Sequence, residues 1–242
     1  MSTITKPTSL PAPLSRPDPR VPVAVTTEQR IVIRGLNWEL YDRLSDAVGK
    51  RQRVYLAYDG KDLEIMTKGR DHEVFREILG RFVSAITFEL KIRCRGARET
   101  TWKRPEIKRG VEADLCYYFD EGKRAADARS RARKSRKVAD YPNPDMAIEI
   151  DLSRSQIDRP SIYAALRVHE TWYFDGGSLR IEHLQEDGTY AAAASSRYLP
   201  VRAEEVLRWV AQEDTNDELA WELRLREWVR TELASRRRES DD

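Results

Sequence analysis

Apolar residues recur every three to four positions along residues 71–90, which is the spacing of one face of an α-helix. Asp71 stands at the start of this segment, where an aspartate can accept hydrogen bonds from the free amides of the first helical turn. The pattern predicts a long helix, capped by Asp71, that buries its apolar face against a sheet. That face consists of Val74, Ile78, Leu79, Phe82, Val83, Ile86 and Leu90.

Shorter apolar patterns predict the rest of the fold. We expect a strand at 30–33, a helix at 38–48, and a hairpin that turns at Asp59 and Gly60, because Asp-Gly favours tight turns. Further strands are predicted at 91–95, 99–103, 111–119, 145–151 and 170–175, with a helix at 159–167 and a meander that ends at Ala194. This order predicts an α+β (α/β-like) fold, in which a mixed central β-sheet is flanked by helices.

Composition divides the chain into three parts. Residues 1–28 are rich in proline, serine and threonine without periodic apolar positions, which predicts a disordered leader. Residues 29–200 contain the strands and helices of one main domain, and residues 201–242 are expected to form a helical C-terminal tail. The tail contains Trp209, Trp221 and Trp228, which predict packing against the core or against the second subunit of a homodimer.

Overall composition restricts the class of protein. The 242 residues are 40% hydrophobic and 35% charged, which suffices for one sizeable core, and a net charge of +2 does not by itself mark a nucleic-acid binder. No apolar run reaches the roughly 18 residues that cross a bilayer. The two cysteines, Cys94 and Cys116, match no zinc or disulfide pattern. We therefore expect a soluble, cytoplasmic protein without a membrane partner.

One segment departs from the overall charge balance. Residues 123–137, inside an insertion at 121–140, contain eight basic residues and a single acid, Asp127. Such a density is suited to neutralising nucleic-acid phosphates, although a solvated, mobile loop explains it equally well. The basic residues are Lys123, Arg124, Arg129, Arg131, Arg133, Lys134, Arg136 and Lys137.

The segment VEADLCYYF, residues 111–119, contains the first candidate for chemistry. Read as one strand, it places Val111, Ala113 and Leu115 on one face and Asp114 among half-apolar neighbours on the other. A carboxylate in such surroundings is costly unless a cation or hydrogen-bond donors compensate it. Asp114 is therefore a candidate metal ligand.

The segment DMAIEID, residues 145–151, places Asp145, Glu149 and Asp151 on one face of a strand. The face could belong to an edge strand exposed to solvent, or it could hold metal. Asp145 and Glu149 are about 13 Å apart along a strand, too far to share one Mg²⁺. Asp151 is about 6.6 Å beyond Glu149, close enough to support that ligand or to hold a second ion.

The order of these segments resembles the Uma-two family, a branch of the PD-(D/E)XK nuclease superfamily that is associated with restriction endonucleases. The resemblance rests on LEIMTKGRDHE, GVEADLCYYF and PDMAIEIDLSRSQIDRPSIYAALRVHETWYFDG, and it covers about residues 30–200. Its most specific parts are the acidic strand ending in LSRS, the helix with Tyr163, and the spacing of Val168, Glu170 and Trp172.

The resemblance implies a restriction-endonuclease-like core with an added N-terminal hairpin and a specific set of site residues. Asp114 matches the aspartate of the family's Pro-Asp motif, and Glu149 matches the acid of its central strand. Together with the backbone carbonyl after Glu149, they would form an oxygen-only site suited to Mg²⁺ or Mn²⁺. A helical glutamate often assists in the superfamily; Glu73 is the best-placed match, and Glu64 on the hairpin is the competing one.

The chain departs from the pattern in two places, the proline and the lysine. Ala113 replaces the proline before Asp114, and Asp151 occupies the usual place of the lysine. In the family the lysine has moved to the helix, four residues before Tyr163, where this chain has Arg159. Arginine stays protonated and cannot act as a base, but it can hold a phosphate oxygen with two N–H groups.

Two further residues remain open as site residues. Lys103, on a neighbouring predicted strand, is the fallback for the missing lysine. His72, at the start of the long helix, is either catalytic or a histidine that caps or packs at the helix end.

Two functions follow as hypotheses. The first is Mg²⁺-dependent hydrolysis of phosphodiester bonds, with DNA as the expected substrate, Asp114 and Glu149 as ligands, Glu73 assisting and Arg159 on the phosphate. The second is a module that keeps the nuclease fold but binds nucleic acid or a protein partner without cleaving it. The absence of the family's lysine is the main argument for the second.

Overall fold

The computed structural model describes residues 28–48, 54–97, 100–135, 137–212 and 217–236. The helices are α1 (Trp38–Val48), α2 (Arg70–Glu89), α3 (Glu121–Ala132), α4 (Arg159–Ala165), α5 (Ala203–Ala211) and α6 (Glu218–Trp228), the last continued by a π-helical turn (Val229–Leu233). The strands are β1 (Gln29–Ile33), β2 (Val54–Tyr58), β3 (Leu63–Thr67), β4 (Arg95–Gly96), β5 (Thr101–Arg104), β6 (Arg109–Glu112), β7 (Leu115–Tyr118), β8 (Met146–Ile150), β9 (Glu170–Phe174), β10 (Leu179–Leu184) and β11 (Tyr190–Ala193). Short 3₁₀ turns occupy Pro105–Ile107 and Val138–Asp140.

The strands form two sheets. The first has the order β1-β3-β2-β6-β5 and is antiparallel throughout. The second has the order β11-β10-β9-β8-β7-β4; its β8 and β9 are parallel, and its other pairs are antiparallel. Helix α4 makes the crossover that parallel neighbours require. The predicted α+β class, with a mixed sheet flanked by helices in a restriction-endonuclease-like arrangement, is thus confirmed.

The predicted hairpin is present, with Tyr58 paired to Leu63 across the turn. Gly60 lies in the left-handed region at φ 94°, and Asp59 Oδ1 accepts hydrogen bonds from the amides of Lys61 and Asp62. Glycine tolerates that backbone region, and an aspartate that bonds to amides two and three residues ahead stabilises the turn. Local chemistry was therefore sufficient to predict this element.

The single strand predicted at 111–119 is wrong. The chain leaves the first sheet at Glu112 and enters the second at Leu115, so that Ala113 and Asp114 lie between two strands. The break shifts the alternation by one residue: Ala113 and Cys116 pack into the same hydrophobic cluster, whereas one continuous strand would place them on opposite faces.

Three other details differ from the sequence-based expectation. Gly69 precedes the first turn of α2 in place of Asp71, without a side-chain cap. The strand predicted at 91–95 is reduced to Arg95–Gly96, because Lys91 takes φ 54° and the Ile92 amide bonds back to the carbonyl of Thr87, which ends the helix. The edge-strand reading of 145–151 is also wrong, since β8 lies between β7 and β9 and all its residues are buried.

The main core lies between α2, the second sheet and the C-terminal helices. The α2 face predicted from periodicity packs there with Met146, Ile148 and Ile150 of β8, except for Val74, which is exposed. Trp209, Trp221 and Trp228 are buried in the same core, so the tail packs on its own chain; the homodimer stays a prediction. No helix in the described ranges is long and apolar enough to cross a membrane.

Candidate active site

Asp114 and Glu149 lie side by side at one end of the β7–β8 pair in the second sheet. Leu115 pairs with Ile148, so Asp114, the residue directly before β7, lies opposite Glu149 of β8. The Ile150 amide donates to Asp114 Oδ2 at 2.8 Å, which ties the Asp114 carboxylate to β8. Both carboxylates are buried, with exposures of 1% and 0%.

Asp114 is bound by Lys68 and His72 on the side of α2. Lys68 Nζ lies 2.5 Å from its Oδ1, and His72 Nε2 lies 3.2 Å from its Oδ2. Burial opposes ionisation of this carboxyl, but Lys68, His72 and the Ile150 amide outweigh it, and the pKa of Asp114 falls below its ordinary value. Asp114 is therefore a carboxylate that stays charged.

Glu149 is bound from the side of α4. Arg159 Nη2 lies 2.5 Å from Glu149 Oε2, and the Tyr163 hydroxyl donates to Oε1. Burial raises the pKa of Glu149 well above its ordinary value, and the nearby Asp114 and Asp151 add to this effect while Arg159 opposes it. A cation or a proton that reaches Glu149 would therefore stabilise it in its buried position.

Arg30 and Arg159 converge on one oxygen of Asp151. Arg159 Nη1 lies 2.5 Å and Arg30 Nη2 lies 2.7 Å from Asp151 Oδ1. Arg30 also pairs with Glu64 at 2.6 Å and with Glu28 at 2.8 Å. Strand β1 is thereby joined to the segment that follows β8. Glu28, the last residue of the leader predicted at 1–28, belongs to this network; residues 1–27 lie outside the described residues.

These acids form one group, which we call the acid cluster: Glu28, Glu64, Asp114, Glu149 and Asp151. Its lysine and arginine partners are Arg30, Lys68 and Arg159. With all five carboxylates ionised and three cations beside them, two negative charges are left over. A single divalent cation would balance that excess.

A surface pocket of about 480 Å³ lies next to the acid cluster. Lys68 reaches it from inside, and Tyr55, Gly69, Arg70 and Glu73 complete its lining. Glu73 itself is partly exposed and pairs with Arg76 at 2.7 Å. The other predicted glutamate, Glu64, is buried and is held by Arg30 and by the Gln156 amide.

Two charged residues considered in the sequence analysis, Lys103 and Asp145, lie away from the acid cluster. Lys103 pairs with Asp42 at 2.7 Å and with Asp46 at 2.6 Å, both on α1. Asp145 lies at the opposite end of β8 from Glu149, where it accepts hydrogen bonds from the amides of Phe119 and Asp120. The structure therefore does not bring either residue to Asp114 and Glu149.

The basic insertion is folded in its described part. Most of it forms α3, where Asp127 is buried and pairs with Arg131 at 2.8 Å, and Lys123 pairs with Asp145 at 2.6 Å. The basic side chains exposed to solvent are Arg129, Arg131, Arg133, Lys134 and Lys137, and Arg124 is half-buried. Arg136 lies outside the described residues. Through Lys123 and Asp145, α3 joins the end of β8 opposite to Glu149.

Sequence reasoning missed Lys68 and Arg30 as members of this site, and it used Tyr163 only as a marker of resemblance. Lys68 directly follows the predicted hairpin, inside the segment LEIMTKGRDHE, but no role was assigned to it, and Arg30 lies in the short apolar strand QRIVI. Their burial was the missing information. Lysine and arginine are rarely buried without a partner, but burial appears only when the chain is folded.

Comparison with known proteins supports a nuclease family. The sequence model of the Uma2 (Uma-two) family, described as "Putative restriction endonuclease", matches residues 38–219. A search of curated proteins finds no match. The match covers α1 through the start of α6 and includes Asp114, Glu149 and Arg159. This chain belongs to the Uma2 family.

Proposed function

We propose that this chain is a metal-dependent endonuclease that hydrolyses phosphodiester bonds of DNA. The observation that carries the proposal is the pair Asp114 and Glu149, two buried carboxylates at the end of neighbouring strands in a member of a nuclease family. Two such carboxylates are expensive to bury together, and Lys68 and Arg159 balance only part of the charge of the acid cluster.

The residues fit Mg²⁺ or Mn²⁺. Among the described residues, no three His, Cys, Asp or Glu side chains are grouped to hold a metal ion. Mg²⁺, however, is commonly held by only one or two carboxylates and keeps several water ligands. Asp114 and Glu149 would be those carboxylates, with Glu73 assisting from the pocket wall. When bound, the ion lowers the pKa of a coordinated water and offsets charge on the phosphate.

Arg159 would position the scissile phosphate. Its two terminal nitrogens are held by Glu149 and Asp151, which orients the planar guanidinium. Its buried Nε makes no hydrogen bond within the described residues, and each terminal nitrogen has a second N–H group, so these donors would be the ones that meet a phosphate oxygen. Arg159 stays protonated and therefore contributes charge and orientation and does not act as a base.

The direct test is cleavage by the purified full-length chain. We expect nicking or cutting of DNA in the presence of Mg²⁺ or Mn²⁺ and none in excess EDTA, with single-stranded DNA, double-stranded DNA and RNA compared side by side. Supercoiled plasmid on agarose gels and labelled oligonucleotides on denaturing gels are the measurements. Cleavage that persists in EDTA would contradict metal dependence.

Binding by the basic insertion has its own test. We expect Arg129, Arg133, Lys134 and Lys137, all exposed, to contact phosphates. Replacing all four with glutamine should weaken DNA binding for all sequences alike, and each lost contact should reduce the salt slope of binding by roughly 0.9. Fluorescence anisotropy at several salt concentrations measures this slope.

The control for this experiment is Lys123→Gln, because that lysine pairs with Asp145. Its salt slope should stay near that of the unmodified protein. If the fourfold variant also keeps the original slope, the segment does not track phosphates.

A second candidate function is a binding module that keeps the fold without cleaving. The observation that favours it is Arg159 in place of the family's lysine. Such a protein would bind nucleic acid or a protein partner with little dependence on divalent metal. Titration with Mg²⁺ followed by calorimetry separates the two functions, since the module would release no heat.

A further inference from the structure

Lys68 is a buried lysine between β3 and α2. Its side chain is 1% exposed, and Nζ lies 3.1 Å above the centre of the Tyr55 ring and 2.5 Å from Asp114 Oδ1. The contact with Asp114 is an ion pair whose angles lie outside hydrogen-bond geometry, and Nζ makes no hydrogen bond within the described residues. A carboxylate and an aromatic face together compensate its charge, but the N–H groups of the ammonium lack hydrogen-bond acceptors in the part of the chain that the structure describes.

The two oxygens of Asp114 have different surroundings. Oδ2 is fixed by the Ile150 amide at 2.8 Å and by His72 at 3.2 Å. Oδ1 accepts no hydrogen bond within the described part of the chain, and Lys68 is the cation beside it. Oδ1 is therefore the oxygen available to a metal ion, and the Lys68 ammonium occupies the space next to it.

The pocket supplies a second position for this ammonium. Lys68 lines the same 480 Å³ pocket as Arg70 and Glu73, and four rotatable bonds let a lysine head group move several ångströms without moving the backbone. A phosphate that entered the pocket would meet Arg70 as well, so that the displaced ammonium would gain an anionic partner.

We propose that Lys68 is a resident cation that holds the metal position on Asp114 in the empty site and transfers to a substrate phosphate in the pocket when a divalent ion binds. This inference rests on the proposed function and gives a role to a residue that the sequence analysis left without one. The ammonium and the metal compete for one carboxylate oxygen, so the Lys68–Asp114 ion pair lowers metal affinity. The same charge then contributes to phosphate binding and turnover.

The competition predicts opposite effects of one substitution on two measurements. Lys68→Met keeps an unbranched apolar stem and removes the charge. Calorimetric titration of the full-length protein with Mn²⁺ should show about tenfold tighter binding, because the competing cation is gone. Cleavage of DNA should fall at least about a hundredfold at saturating Mn²⁺, because the phosphate contact is lost.

The matched control is Arg81→Met. Arg81 lies on α2 and pairs with Glu218 and Glu222 of α6, so its loss removes an ion-paired cation outside the acid cluster. Its Mn²⁺ affinity and cleavage rate should equal those of the unmodified protein. If Lys68→Met does not fold, Tyr55→Leu removes the ring beneath the ammonium but keeps the lysine, and it should also tighten Mn²⁺ binding, by a smaller factor.

Unchanged or weaker Mn²⁺ binding by Lys68→Met and Tyr55→Leu would overturn the inference. If Lys68 only supported the fold, its replacement would make the metal site less ordered and would not tighten metal binding. The proposed function fails separately, if the unmodified protein neither binds Mn²⁺ nor cleaves. Should the unmodified protein bind no Mn²⁺ while Lys68→Met binds it, the resident cation is supported and metal-dependent cleavage by the natural chain is rejected.

Discussion

Asp114→Asn is expected to abolish cleavage and also to lower the free energy of unfolding by about 3–5 kcal/mol, the usual cost of removing one partner of a buried ion pair. The substitution leaves the Lys68 ammonium buried beside a neutral amide. Urea unfolding followed by circular dichroism measures the stability, and plasmid cleavage measures the activity. A variant that is inactive but as stable as the unmodified protein would show that the ion pair does not contribute to folding.

Glu149→Gln is expected to abolish cleavage at a much smaller cost in stability. Glutamine keeps the shape, with its oxygen accepting from Arg159 and its NH2 group donating to the Tyr163 hydroxyl oxygen, and it removes a charge that burial disfavours. Arg159 retains Asp151 as an anionic partner. The pair of variants thus separates loss of a proposed metal ligand from loss of the fold.

The two carboxylates should also have opposite effects on the pH dependence of stability. Asp114 has a lowered pKa, so its contribution is present above the ordinary value of 3.8 and is lost as the pH falls through the lower folded value. Glu149 has a raised pKa, so its contribution is present below 4.5 and is lost as the pH rises through the higher folded value. Above pH 4.5, the free energy of unfolding of Glu149→Gln should therefore rise relative to that of the unmodified protein.

Arg159→Ala is expected to reduce turnover by about 10² to 10³, by analogy with removal of a charged or dipolar group that stabilises a transition state. The substitution removes the cation that lies between Glu149 and Asp151. Arg159→Lys keeps the positive charge and restores the residue that the family resemblance implies, so it should retain far more turnover than alanine. Single-turnover cleavage at saturating metal is the measurement.

Two outcomes would change the interpretation of Arg159. If neither variant alters a measurable rate, Arg159 lies outside the reacting centre. If the unmodified protein is inactive and Arg159→Lys cleaves, the natural chain is a binding module that has lost catalysis.

Elements with strong local patterns were predicted from the sequence. Helix α1, the turn at Asp59 and Gly60, and the apolar face of α2 each depend on residues within a few positions of one another. Strand β8 was also located, together with the separation of Asp145 from Glu149. In each case the period of side-chain directions, or the conformational preference of a turn residue, is a property of the local chain.

Features that depend on two distant segments were not predictable. The strand break at Asp114 arises because β6 pairs with β2 in one sheet, whereas β7 pairs with β8 in the other. A run of apolar residues does not show where one set of partners ends and the next begins. The basic insertion was likewise left between a mobile loop and a phosphate-binding segment, because the burial of Asp127 depends on the neighbouring fold.

The sequence by itself determined the α+β class, the family, and the choice of Asp114 and Glu149 as the acids to consider. Motif order and side-chain periodicity suffice for this, because both can be read from residues that are close together in the sequence. Only the tertiary structure decided which cations compensate these acids. Lys68 on Asp114, Arg159 on Glu149 and Asp151, and Arg30 on Asp151 and Glu64 come from separate elements. Partners of buried charges are selected by distance in space, and the folded chain alone sets that distance.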